Sequence, residues 1–170
     1  MQNEPSFTAR SVDLEQLDDA KLEALLAYWE ARRGGHVYPM RRDLLPEDMA
    51  SLLTRLALVD VLDDRIKFRF RLVGSLLQHA FGVDPTGSAL ETIAPAAYRD
   101  LFAAHFRAVL WSEAPLCRQI EIRRGLRSFT FRCLVLPVSE DGSHLDRLLV
   151  AANWGDREAP VRDLLRPRRF

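Results

Sequence analysis

"RIKFRFRLVGSLLQHAFG", residues 65–82, changes its period halfway along. From Ile66 to Val73 apolar and basic side chains alternate, with Ile66, Phe68, Phe70 and Leu72 on one side and Lys67, Arg69 and Arg71 on the other. That is the period of a strand with one buried face. After Gly74 the pattern becomes helical. Ser75 with Gln78 matches a capping box, Leu76 to Phe81 cover roughly one and a half turns, and Gly82 suits a left-handed stop. A strand therefore runs directly into a short helix.

Working outward, Leu56 to Leu62 forms a second strand-like run, and Asp63, Asp64 and Arg65 join the two as an antiparallel hairpin. Downstream, "DPTG" (84–87) is a turn, and Pro95 opens a helix whose Tyr98, Leu101, Phe102, His105, Phe106 and Val109 form one apolar stripe. Three strand-like segments follow at about 115–123, 127–137 and 145–154, separated by "RRGLR" and "SEDGSH". Upstream, residues 14–33 place Leu22, Leu25, Leu26 and Trp29 on one helical face, roughly in line with Leu14 and Leu17, and Gly34 and Gly35 end that helix. Pro46, Glu47 and Asp48 open a short helix that ends near Thr54, since the first turn favours proline and negative charge. The chain thus divides into a flexible N-terminus (1–13), an N-terminal helical extension (14–54), an α+β core (55–154) and a C-terminal tail (155–170).

At 170 residues, with 48% apolar residues and zero formal net charge, the chain has the composition of one folded domain with no global attraction to nucleic acid or acidic lipid. No signal-peptide core or membrane-spanning run is present, so a cytoplasmic protein is expected. The two cysteines, Cys117 and Cys133, cannot build a disulfide framework or a four-thiolate metal site. A hairpin centred on Gly125 places them opposite each other, with Cα atoms within about 7 Å and the thiols reduced. No Gly-rich phosphate loop, metal-ligand spacing or serine elbow occurs, and Asp60, Asp63 and Asp64 read as a strand end and turn, so neither catalytic residues nor a metal site are assigned.

The order of elements resembles the PAS domain: a hairpin, a helical excursion ending in one long helix, then a three-stranded meander. "FRFRLVGSLLQHAFGVDPTGSAL" (68–90) and "TIAPAAYRDLF" (92–102) resemble the PAS stretches around that excursion. "YWEARRGGHVYPMRRDLLPEDM" (28–49) ahead of "LALVDVL" resembles a proteobacterial PAS subfamily. The resemblance covers roughly residues 20–154. It implies a five-stranded antiparallel sheet of order 2-1-5-4-3, with short helices and one long connecting helix on one face. It also puts the opening strand at an edge, where Lys67, Arg69 and Arg71 discourage pairing with another sheet.

The resemblance further implies a regulatory sensor or adaptor without catalysis, with a small-molecule pocket between the inner sheet face and the helices. The pocket residues would come from Phe70, Leu72, Leu77, Phe81, Phe102, His105, Phe106, Val109, Ile120, Phe129 and Phe131, although any of them also serves a plain packed core. His105 lies on the helix that supplies the iron ligand in haem-binding relatives, yet one histidine does not specify haem. No motif of the flavin-photoadduct type stands between Phe81 and Pro95, so the cofactor is left open. The alternative is a ligand-free dimerisation or partner-docking module, with a small enzyme behind it. Leu22, Leu25, Leu26 and Trp29 of the first helix, and Leu134 and Leu136 on the far sheet face, read as interface residues, with a twofold homodimer preferred over a cover within the chain. A protein signalling partner is expected. No exposed aromatic is interleaved with Lys67, Arg69 and Arg71 to stack bases, and Arg123, Arg124, Arg127 and the tail arginines keep nucleic acid only as a minority reading.

Overall fold

The computed structural model describes residues 4–62, 65, 67–93, 95–155 and 161–165. Asp63, Asp64, Ile66 and the last arginines of the tail lie outside them. The elements run β1 (Ser6–Val12), α1 (Ala20–Arg33), β2 (Leu56–Leu62), β3 (Lys67–Val73), α2 (Ser75–Phe81), α3 (Ala96–Ser112), β4 (Leu116–Arg124), β5 (Arg127–Val138), β6 (Arg147–Asn153) and α4 (Val161–Leu165). Short 3₁₀ turns fill the segment between α1 and β2.

All six strands pair antiparallel in one sheet, in the order β1-β4-β5-β6-β2-β3. Five of them reproduce the expected order 2-1-5-4-3, and β1 adds a sixth strand beside β4. The expected flexible N-terminus is therefore corrected over Ser6–Val12. "SFTARSV" lacks an apolar alternation, and its place comes from the backbone ladder that runs from Ser6 opposite Arg123 to Val12 opposite Cys117. Such a ladder needs a free partner edge more than a side-chain pattern.

The sheet carries a core on each face. On the inner face α2, α3 and α4 cover Phe68, Ile120, Phe131, Cys133, Leu148 and Val150. On the outer face α1 and the 3₁₀ turns cover Cys117, Leu134, Leu136, Leu149 and Ala151. Leu22, Leu25 and Trp29 are buried there and Leu26 is half-buried. The stripe of α1 is thus satisfied within its own chain, which corrects the expected twofold contact through this helix. A chain of polar groups, buried at Arg55 and Asn153 and half-buried at Asp19, anchors the arrangement. Asp19 accepts from the Lys21 and Leu22 amides at the start of α1, Asn153 Nδ2 donates to Asp19 at 2.7 Å, and Arg55 donates to Asn153 Oδ1 at 2.8 Å. The Arg55 guanidinium also lies 4.4 Å above the centre of the Trp154 ring.

Two register details overturn expectations. Leu58 pairs with Leu72 but Val59 pairs with Phe70, so Arg71 forms a bulge in β3. The extra residue inverts the alternation beyond it. Val73 turns inward in place of Leu72, which is 55% exposed and so cannot be a pocket residue. In the β4–β5 hairpin Arg124 pairs with Arg127 around a two-residue turn, with Gly125 at φ 60°. Cys117 consequently faces Leu134 and Cys133 faces Arg118, so the thiols stand on opposite faces of the sheet and the expected cysteine pairing fails.

The switch from strand to helix after Gly74 also has a different mechanism from the expected one. Gly74 is the residue before the first turn, and Gln78 donates from its side chain to the Val73 carbonyl at 2.9 Å rather than closing a capping box with Ser75. A β-carbon on Gly74 would lie 2.4 Å from the Thr54 backbone, so only glycine fits there. Gly82 ends α2 in the left-handed conformation, φ 72°.

Candidate ligand-binding site

Between the inner sheet face and the helices lies a cavity of about 640 Å³. The sheet contributes Ala57, Phe70, Val73, Phe131, Cys133, Val150 and Ala152; α2 contributes Leu77 and Phe81; α3 contributes Tyr98, Phe102 and Phe106. The loop after α2 adds residues from Val83 to Ile93, and Leu165 of α4 completes the wall. The amphipathic period of α3 explains three of these positions, because Tyr98, Phe102 and Phe106 repeat at four-residue steps on one helical face.

Of the pocket residues expected from the sequence, Phe70, Leu77, Phe81, Phe102, Phe106 and Phe131 line the cavity. Val109, Ile120 and Phe129 are buried in the inner core without lining it. His105 is also buried outside the lining. Its Nε2 contacts the Leu116 carbonyl at 3.0 Å, and because a carbonyl only accepts, Nε2 carries the proton. Burial, and then the charge of Arg118, lowers its pKa to about 4 against the upward pull of that hydrogen bond. This histidine is a core group bound to the neighbouring strand, and its position does not fit a haem ligand in the cavity.

Sequence reasoning missed Val73, Tyr98 and Cys133 as lining residues. The stripe of α3 already contained Tyr98, whereas Val73 depends on the Arg71 bulge and Cys133 on the hairpin register. Tyr98 is 1% exposed, and its ring is held between Phe7, Phe81 and Phe102 at centroid distances of 5.3, 5.5 and 4.8 Å. Burial, with Cys133 nearby, pushes its phenol well above the ordinary value. Burial likewise pushes the Cys133 thiol up. Both groups stay protonated at neutral pH, so this wall offers no thiolate nucleophile. Among the described residues no lysine, arginine or histidine lines the cavity, and the one charged residue among them that does, Asp84, is exposed. The Thr86 hydroxyl and then its amide hold the Asp84 carboxyl below the usual range.

A second polar cluster sits at the outer edge. Asp60 is buried and meets Arg71 Nε at 2.9 Å, Arg147 at 3.2 Å and Arg69 at 3.6 Å. It is therefore the hub of an ion-pair group rather than part of a turn. Arg123 pairs with Glu121 and Arg124 donates to the Leu164 carbonyl. The basic row thus has internal partners, which weakens the nucleic-acid reading. Among the described residues no group of three or more His, Cys, Asp or Glu side chains is placed to hold a metal ion, and no helix is long and apolar enough to cross a membrane.

A sheet enclosing an apolar cavity against short helices and one long connecting helix makes this chain an α+β module with its cavity on one sheet face. The sequence matches the PAS domain family over residues 17–152, and the chain belongs to that family. No curated protein matches it.

Proposed function

We propose that this chain is a cytoplasmic regulatory PAS sensor that binds a small molecule in the inner-face cavity and passes its state to a protein partner by contact. The observation that carries this reading is the volume of about 640 Å³ beneath α2 and α3, which falls in the range of small-molecule sites. The α4 segment supports a route outward: Val161 and Leu164 are buried, while Leu165 touches the cavity wall. Regulation rather than catalysis is assigned, because the lining is apolar and its titratable groups are neutral or exposed.

A native mass spectrum with an absorption scan of the purified protein tests the proposal. The expected result is retained small-molecule mass, or capture of an added apolar compound. A protein that neither retains nor captures one supports the second reading, a ligand-free dimerisation or docking module. Trp111 of α3, 92% exposed, favours that reading and a homodimer. Loss of self-association in Trp111→Ala would support it.

A further inference from the structure

We propose that the cavity takes an uncharged, largely apolar molecule with one hydrogen-bond acceptor, which meets the phenolic hydroxyl of Tyr98. This inference rests on the ligand-binding reading above and names the chemistry of the ligand.

The hydroxyl of Tyr98 is buried and has no hydrogen-bond partner among the described residues. Buried polar groups are nearly always bonded, so an orphan on a cavity wall calls for a missing partner. The ring cannot swing the hydroxyl to water, because Phe7, Phe81 and Phe102 pack around it. Being protonated, the phenol donates, and the complementary group on the ligand is an acceptor such as a carbonyl or ester oxygen.

The rest of the lining decides the charge. Phe70, Leu77, Phe102, Phe131 and Val150 present only hydrocarbon, and no cationic side chain stands among the described lining residues. A carboxylate or phosphate would lose its water with no compensating charge. Among the described lining residues a cation would find only Asp84, which lies in solvent and would hold it at the mouth. An uncharged molecule with one polar atom is what remains.

Nile red, an uncharged dye bearing a carbonyl acceptor, serves as the probe, displaced in turn by methyl heptanoate, octane and octanoate at neutral pH. On the wild-type protein the ester is expected to displace the dye about tenfold better than octane, the net worth of one hydrogen bond, with octanoate weakest. In Tyr98→Phe the ester should fall to the level of octane while octane itself is unchanged. Equal displacement by ester and alkane on the wild type, or octanoate as the best competitor, overturns the proposal even if the variant fails to fold. So does a folded Tyr98→Phe protein that keeps the preference for the ester. If the wild type binds no dye and none of the competitors in a direct titration, the ligand-binding reading fails and this inference fails with it; dye binding with a flat competitor series overturns the polar anchor alone.

Discussion

Trp29 Nε1 donates to the Pro137 carbonyl at 2.7 Å, joining α1 to the C-terminal end of β5 across the outer sheet face. The indole is buried and packs in the same cluster as Leu134 and Leu136. Trp29→Ala therefore removes a large buried ring and leaves a buried carbonyl unpaired. The expected loss is roughly 3–5 kcal/mol, the range for large-to-small changes in cores, read by urea denaturation. Trp29→Phe should recover most of it. A loss below about 1 kcal/mol for the alanine variant would mean that α1 does not seal this face.

Asp60 pairs with three arginines from within the sheet, and their exposure differs. The side chains of Arg69 and Arg71 are 47% and 44% exposed, whereas that of Arg147 is 15% exposed. Asp60→Ala removes the buried carboxylate from all three, and Arg147, the least exposed of them, keeps Glu140 at 2.9 Å. The substitution should cost roughly 2 kcal/mol, less than a fully buried pair because water reaches the other two arginines. Arg69→Ala should cost under about 1 kcal/mol. Equal losses for the two variants would contradict this ordering.

His105 makes stability depend on pH. Its pKa is about 4 in the folded protein against 6.5 for the unperturbed side chain. Between those values the unfolded chain binds a proton that the native protein does not, so stability rises with pH there. The contribution is complete above about pH 6.5, declines as pH falls toward 4, and levels off below, for a total of roughly 3 kcal/mol. Denaturation midpoints of the wild type and His105→Gln across this window should differ in slope, with the variant flatter. Parallel profiles would show that another group titrates.

The cysteines should behave as two isolated thiols. Burial raises the pKa of Cys117 to about 11 and that of Cys133 further, and the sheet separates them. Ellman's reagent should react with neither in the native protein and with both after denaturation, since the thiolate is the reactive form. An intramolecular disulfide in the native protein would refute the β4–β5 register.

Filling the cavity separates binding from folding. Ala152 lines it from β6, so Ala152→Phe should occupy part of the void, abolish capture of apolar probes, and leave the thermal midpoint unchanged or slightly higher. Unaltered binding in this variant would place the ligand elsewhere.

The parts of the candidate site legible in the sequence were those with a local period. The stripe of α3 placed Phe102 and Phe106 on the cavity wall, and the alternation of β3 placed Phe68 and Phe70 inward, because both depend only on helix and strand geometry. Leu72 and Val73 were exchanged by a single bulged residue, which leaves no trace in a hydrophobic pattern. His105 shares the stripe of α3 but turns to the Leu116 carbonyl instead of the cavity, a choice made by the neighbouring strand. Asp60 and Asn153 gave no local signal as polar hubs, since their partners lie far away in sequence.

By itself, then, the sequence determined the order of helices and strands, the edge position of β3 through its family resemblance, and the glycine that ends α2. These follow from side-chain period and backbone freedom, which act over a few residues. Tertiary structure alone decided that Ser6–Val12 completes the sheet at β4, that α1 covers its own outer face instead of a second copy, and that Tyr98 stands buried and unpartnered on the cavity wall. Each of these outcomes depends on which distant surface is left free to pair or pack, a competition between long-range contacts that no local pattern encodes.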